Sequence, residues 1–410
     1  MLNCWLLTTS ADLPFRPVSQ PYALLYDSAM FSKHILIPLS AGCFLGLLGL
    51  ALFASSCGRT HASPVLEAAG PLPPPASMDV VMKAVRDYGR GQTGVFLPTK
   101  DTMPVDLEEV YSAQISKLLD QEDFAQLEKI ARQNRTDKGR LLGGVWKTFA
   151  FYEGLGKPTE AQEEIEVYYA LQIKRTKKWI AAYPDSTTAR LAVAHIYIAY
   201  GWGARSTDYA DKVSESQWKK FGSGSTHARA LLLEASSLKE RDPAWYYMMQ
   251  QIAAAEGWDK ALARELFDQA TAFEPGYYHY YRQYANYLLP QWYGEPGELL
   301  TFADEVSSRV PDPQSSMLYS YTVGTITCYC QEDMQELPKM SYAKAKQGYD
   351  YISRFYGVSN LNANRLALLA FTFKDQASSR DAFAFIYKRD PNVWPSEDSF
   401  NWVRQWAAAQ

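Results

Sequence analysis

Charge of one sign is what this chain lacks. Its 41 Lys and Arg stand against 45 Asp and Glu, a formal net charge of −4 over 410 residues. That excludes the basic field with which a protein holds nucleic acid. Cysteine is scarce. Of the five, Cys4, Cys43 and Cys57 fall in the N-terminal segment, leaving Cys328-x-Cys330 for the body. There is no disulfide framework and no CxxC or Cys/His array at zinc spacing. An i, i+2 pair points to different faces of a helix, so Cys328 and Cys330 read as two half-buried thiols. His34 and His61 lie in or near the N-terminal segment. His195, His227 and His279 stand alone, and each reads as a partly buried ring on a helix. No HExxH, GxSxG or Walker A pattern occurs, nor a paired nucleophile and base. No metal and no cofactor is expected, and no enzymatic activity. No alternating strand pattern of useful length is present.

What the chain has in excess is aromatic side chains, 14% of residues, with 28 Tyr and 11 Trp. Rings in that number suit wide seams between helices. The N-terminus reads as an address. From Met30, MFSKHILIPLSAGCFLGLLGLALFASSC (30–57) has a short basic region, an apolar run and small residues before a cysteine. Ala54-Ser55-Ser56-Cys57 resembles the bacterial lipoprotein cleavage site, where Cys57 would become the lipidated first residue. Gly58, where Asp would favour retention in an inner membrane, leans toward an outer one. The alternatives are ordinary cleavage after Ala62 and an uncleaved signal-anchor helix, since the run is long enough to span a bilayer. Residues 1–29 read as a patternless, disordered upstream extension, with Met30 as the start. Residues 58–77, rich in Pro and Ala, read as an extended tether, and 78–105 as an irregular lead-in that opens with a short helix.

From 106 to 410 the pattern is helical. Ala263, Phe267, Ala270 and Pro275 sit at offsets of 4, 3 and 5. Small residues at two positions admit a neighbouring helix, an aromatic fills the gap, and proline ends the helix. That is how the second helix of a tetratricopeptide (TPR) hairpin reads. Prolines at 184, 243, 275 and 311 leave gaps of 59, 32 and 36 residues. The last two bracket the TPR period of about 34. Helices are expected over 160–182, 185–200, 226–240, 243–275, 277–290 and 296–311, with a Gly/Ser turn at 222–226. Two further pairs fill 315–356 and 361–390, and a Trp-rich tail covers 394–406. The expected fold is all-α: an irregular TPR-like solenoid of helical hairpins behind a signal and a tether.

Four phrases carry a resemblance. They are KGRLLGGVWKTFAFYEGL (138–155), YPDSTTARLAVAHIYIAYGWGARS (183–206), the block 243–306 with LLPQWYGEPGELLTFA, and NLNANRLALLAFTFKDQASSRDAFAFI (360–386). Together they resemble a bacterial family of TPR-like proteins catalogued as a domain of unknown function. The resemblance covers about 106–406 and implies a fold but no activity. Where the family's pattern has a cysteine, this chain reads Leu368-Leu369-Ala370-Phe371.

Gly89-x-Gly91-x-x-Gly94 matches a dinucleotide fingerprint, but no strand precedes it and Pro98 interrupts the segment after it, so it reads as a loop. Glu163, Glu164 and Glu166 read as a solvated helix face. The candidate binding residues are aromatic and cationic. Tyr277, Tyr280, Tyr281, Tyr284 and Tyr287 follow 3–4 spacing and are expected in the core. Tyr278 and Arg282 share another face, exposed or lining a groove, where a guanidinium and a ring suit a peptide backbone or carboxylate. Trp202 and Arg205 belong to the second of those four phrases, with Arg190 three to four turns back, and Trp292, Gly294 and Glu295 form a tight turn between helices, with Gly294 and Gly297 free to take positive φ. The expected function is a cell-envelope lipoprotein binding a peptide or protein partner in a helical-repeat groove. The competing expectations are an enzyme or enzyme subunit with a central cavity near Trp202, Arg205 and Trp292, and a scaffold of an envelope complex.

Overall fold

The computed structural model describes residues 63–92, 108–156, 158, 165–206, 212–326 and 337–409. Cys57, the segment 30–57, Cys328, Cys330, Gly94, Glu163 and Glu164 lie outside them. Among the described residues there are 17 α-helices and no strand beyond one isolated bridge, between Arg140 and Trp146. None of these helices is long and apolar enough to cross a membrane.

The helices follow the expected pairing. They are α1 (Pro64–Ala69), α2 (Met78–Tyr88), α3 (Glu108–Asp120), α4 (Phe124–Asp137), α5 (Lys147–Gly156) and α6 (Ile165–Ala182). Then come α7 (Thr187–Arg205), α8 (Glu215–Ser236), α9 (Pro243–Glu256), α10 (Lys260–Phe273), α11 (His279–Tyr287) and α12 (Glu298–Ser308). The C-terminal part holds α13 (Gln314–Val323), α14 (Tyr342–Tyr356), α15 (Asn360–Thr372), α16 (Gln376–Phe383) and α17 (Glu397–Ala408). Neighbours in sequence pack as hairpins, α7 on α8 and α13 on α14 most extensively.

The α9–α10 hairpin shows how sequence makes the unit. Asp242 caps α9, Pro243 occupies its first turn, and Gly257 ends it at φ 66°. Asp259 caps α10 through Leu262 N at 2.9 Å. Ala263, Phe267 and Ala270 are then all buried. The Phe267 ring stacks on Tyr284 at 4.9 Å and meets Phe302 edge-on at 5.0 Å, locking α10 to α11 and α12. Burying such a ring stabilises by about 1.5–3 kcal/mol.

Three expectations are corrected here. The Gly/Ser turn at 222–226 does not form, because α8 runs unbroken from Glu215 to Ser236. Its glycine serves a close crossing instead. A Cβ at Gly224 would stand 2.6 Å from the Tyr197 carbonyl oxygen and 3.3 Å from the Gly201 Cα on α7. The stretch 63–69 of the tether is docked as a short helix. Val65 and Ala69 are buried, α1 packs on α6, and the Lys177 ammonium donates to the carbonyls of Ala68 and Ala69 at 2.7 and 2.8 Å. Glu166 is no idle surface charge. It takes Lys220 Nζ at 2.7 Å, accepts from Tyr200 OH at 3.2 Å, and accepts from Ser63 Oγ at the foot of α1.

The lead-in is also integrated. Tyr88 at the end of α2 stacks on Trp245 of α9 at 4.2 Å, and the Gly89 N–H donates to Tyr246 OH at 3.1 Å. Further along, a short turn, Leu142–Gly144, reaches across to the C-terminal helices. Gly143 donates to the Gly357 carbonyl at 3.2 Å and accepts from Tyr321 OH at 3.2 Å and Asn362 Nδ2 at 3.3 Å. The segment before α5 is thus bonded to the helices near the C-terminus, and α9 and α11 are enclosed. Every residue of α11 is buried, as are the residues of α9 from Pro243 to Ala254.

Candidate functional site

That enclosure decides the fate of the first candidate pair. Tyr277, Tyr280, Tyr281, Tyr284 and Tyr287 are core residues, as their spacing implies. Tyr278 and Arg282 are not exposed: they keep 5% and 8% of their surface. The Tyr278 ring lies flat on Tyr321 at 3.8 Å and on His279 at 4.1 Å. A helix buries only part of its circumference when one side meets solvent, and α11 has no such side.

The histidines are more deeply buried than expected. His195 on α7, His227 on α8 and His279 on α11 are 1%, 8% and 3% exposed. Burial pushes His195 down from 6.5 to about 3, with Glu153 Oε1 at 3.9 Å. His279, stacked on Phe149 at 3.7 Å, is pushed well below its ordinary value by burial and by Arg282 and Arg140. Among the described residues, no three His, Cys, Asp or Glu side chains are grouped to hold a metal ion.

Arg190 and the pair Trp202/Arg205 do not come together. They sit at opposite ends of α7, roughly 22 Å apart between Arg190 and Arg205 at 1.5 Å per residue. Arg190 is structural in its contacts: it faces Glu234 at 3.4 Å and donates to the Ser186 carbonyl at 3.1 Å.

Trp202, Arg205 and Trp292 do belong to one aromatic patch. The Trp202 ring meets Trp292 edge-on at 5.6 Å and Phe221 of α8 at 4.7 Å. Phe221 in turn meets Trp218 at 5.8 Å, and the Arg205 guanidinium lies 5.3 Å from the Trp218 ring. Arg205 is wholly buried and donates to the Ser206 carbonyl at 3.0 Å. Trp218 keeps 38% of its surface exposed. The Trp292 indole nitrogen is buried without a hydrogen-bond partner among the described residues. Glu295 is exposed on the following turn, its N–H donating to Glu298 Oε2 at 2.8 Å. Gly297 there takes φ 85°, as expected. Gly294 does not; it is small because a side chain would strike the Leu288 carbonyl.

Trp218 and Phe221 are the members that sequence reasoning missed. Their i, i+3 spacing on a helix was the available signal, hidden by reading the adjacent Gly/Ser run as a turn. Comparison with protein-family models, curated proteins and solved structures finds no match to the chain. What can be stated of its class is an all-helical protein of many packed helices.

Proposed function

We propose that this chain is a TPR-like helical-repeat protein of the cell envelope, held to a membrane through Cys57, that binds a peptide or protein partner at the Trp202–Arg205–Trp218–Trp292 patch. The repeat reading is supported by the α9–α10 hairpin and the buried Ala263, Phe267 and Ala270. One observation carries the site: Trp218 offers an exposed indole on a buried aromatic support, beside a guanidinium. Trp is among the side chains that most often dominate binding energy at protein interfaces, and a rigid ring loses little entropy on contact; Arg205, wholly buried, supports the Trp218 ring and does not itself reach the partner.

Two expected results test this. A photo-crosslinking residue at position 218 gives a discrete adduct with a second protein, and one at exposed Lys129 gives none. Mass spectrometry of the mature N-terminus finds a diacylglyceryl group on Cys57; a free N-terminus at Ser63, or an intact Met1, ends the lipoprotein reading.

A further inference from the structure

Arg140 and Trp146 face each other across the isolated bridge just before α5. The Arg140 guanidinium lies on the Trp146 ring, 3.2 Å from its centre, and the residue is 3% exposed. Its Nη1 donates to the carbonyls of Lys138 and Gly139. Its other edge, Nε and Nη2, makes no hydrogen bond among the described residues, and the guanidinium makes no ion pair among them. The carboxylate that acts on it most strongly is Glu274, which is engaged by Lys138 at 2.6 Å. Burial outweighs that carboxylate and lowers the Arg140 pKa to about 10, so the group is still charged at neutral pH.

Arg140 lines a cavity of about 10 Å³ together with Gly144, Gly276, Tyr278, Tyr321 and Tyr356. That is room for one water-sized occupant. Nη2 lies on the Gly276 side, 3.8 Å from where a Cβ there would stand. The space exists because Gly144, at φ 83°, has no side chain: a Cβ would strike the Tyr321 hydroxyl. Tyr321 OH is spent on the Gly143 carbonyl at 3.2 Å. Tyr278 and Tyr356 are buried too, and their hydroxyls make no hydrogen bond among the described residues. One guanidinium edge and two phenol hydroxyls, all able to donate, therefore surround space for a single atom. A water there accepts from Arg140 but leaves its charge unmatched. A buried cation without a counter-ion is costly, and a monoatomic anion that accepts from all three groups offsets that cost. Carboxylate, phosphate and sulfate need room for several atoms and do not fit.

We propose that this cavity binds a single halide ion, chloride in physiological media, held by the open edge of Arg140 and by the hydroxyls of Tyr278 and Tyr356. Chloride is slightly wider than water, and Met317, the remaining wall, is unbranched and adapts. Stacking on Trp146 and donation from Nη1 hold the guanidinium in place, so little entropy is lost when the ion arrives. The ion joins the segment before α5 to the start of α11, at Tyr278, and to the end of α14, at Tyr356. Its binding therefore stabilises the folded chain. The cavity shares no residue with the proposed partner site, and its test reads unfolding where that site's test reads capture, so either fails without the other.

The experiment is urea unfolding of the whole protein at one ionic strength, with sodium gluconate exchanged stepwise for sodium chloride or bromide. The expected result is a midpoint that rises with either halide. Above the dissociation constant, each tenfold rise in halide raises the folding equilibrium constant by up to about tenfold. Arg140→Gln is expected to abolish the dependence, and Tyr356→Phe to weaken halide binding by about threefold to tenfold, the loss of one hydrogen bond. Crystals of the parent soaked in bromide are expected to show an anomalous peak beside the Arg140 guanidinium. A midpoint that ignores halide overturns the proposal, as does a dependence that both substitutions leave unchanged. So does the absence of a bromide peak at Arg140. A peak without any dependence in solution is occupancy at crystal concentration only and overturns it as well. Tyr356→Phe and the bromide soak keep the test decisive if Arg140→Gln fails to fold.

Discussion

Asp242→Ala is expected to lower the stability of the protein by about 2–4 kcal/mol, the summed cost of losing a helix cap and of leaving the buried Tyr152 hydroxyl and one side of the Arg135 guanidinium without an acceptor. Asp242 is 1% exposed and bonds to residues of four helices. Its Oδ2 accepts from Tyr152 OH of α5 at 2.9 Å and from Arg135 Nη1 of α4 at 3.1 Å. Its Oδ1 caps α9 at Ala244 N, 2.9 Å away, and its own N–H donates to Tyr88 OH of α2 at 2.9 Å. Arg135 carries the connection on to Thr188 of α7 at 2.7 Å. Removing the carboxylate leaves the Arg135 guanidinium and the Tyr152 hydroxyl facing each other in the core. Whole domains are stable by only about 5–15 kcal/mol, so the loss is a large share. The comparison is Asp268→Ala, whose carboxylate is 47% exposed in its pair with Arg264. That change is expected to cost under about 1 kcal/mol. The check is the urea midpoint of each variant. Equal midpoints for Asp242→Ala and the parent would remove Asp242 from the account of stability.

The second large effect is loss of stability in mild acid. His195 is neutral in the fold down to about pH 3, and His279 is held well below its ordinary 6.5, in both cases chiefly by burial. His227 is lowered too, by burial and then by Lys177. In the unfolded chain each takes up a proton near 6.5. Between those limits the unfolded state binds more protons, so stability is full above about 6.5 and falls as the pH drops. The slope is about 1.4 kcal/mol per pH unit for each fully buried histidine. Urea unfolding at pH 7.5, 6.5, 5.5 and 4.5 is expected to show a midpoint that falls only below 6.5. His195→Gln is expected to show a shallower fall, whatever its stability at pH 7.5. A midpoint constant from 7.5 to 4.5, or an unaltered slope in the variant, would contradict it.

How much of this was legible in the sequence depends on the range of the interaction concerned. The α10 pattern at Ala263, Phe267 and Ala270 was legible because packing against the next helix repeats every three or four residues. The five core tyrosines of α11 were legible for the same reason. Tyr278 and Arg282 were misplaced because what covers them comes from far away in the chain. Tyr278 meets Tyr321, and Gly143, more than a hundred residues earlier, closes over that ring through its bond from Tyr321 OH. Local periodicity holds no record of such a contact. The glycines of α8 misled differently. Gly in a Ser-rich run is the ordinary sign of a turn, yet at Gly224 its use is a close helix crossing. The acidic run had the same defect: nothing near Glu166 announces Lys220 or Ser63. At the candidate patch, Trp202, Arg205 and Trp292 stand out in the sequence and lie together in the fold. Trp218, its exposed member, was hidden behind the misread turn.

The proposal that the chain binds a partner at this patch is tested most directly by site-specific photo-crosslinking from position 218 in the full-length protein in its native cells. Lys129 is the control. It is exposed on α4, which meets α7 at its first turn, the end opposite the patch. The account predicts one discrete adduct from position 218, containing a second protein, and none from 129. An absence of adducts from 218, or the same adducts from both positions, would contradict it.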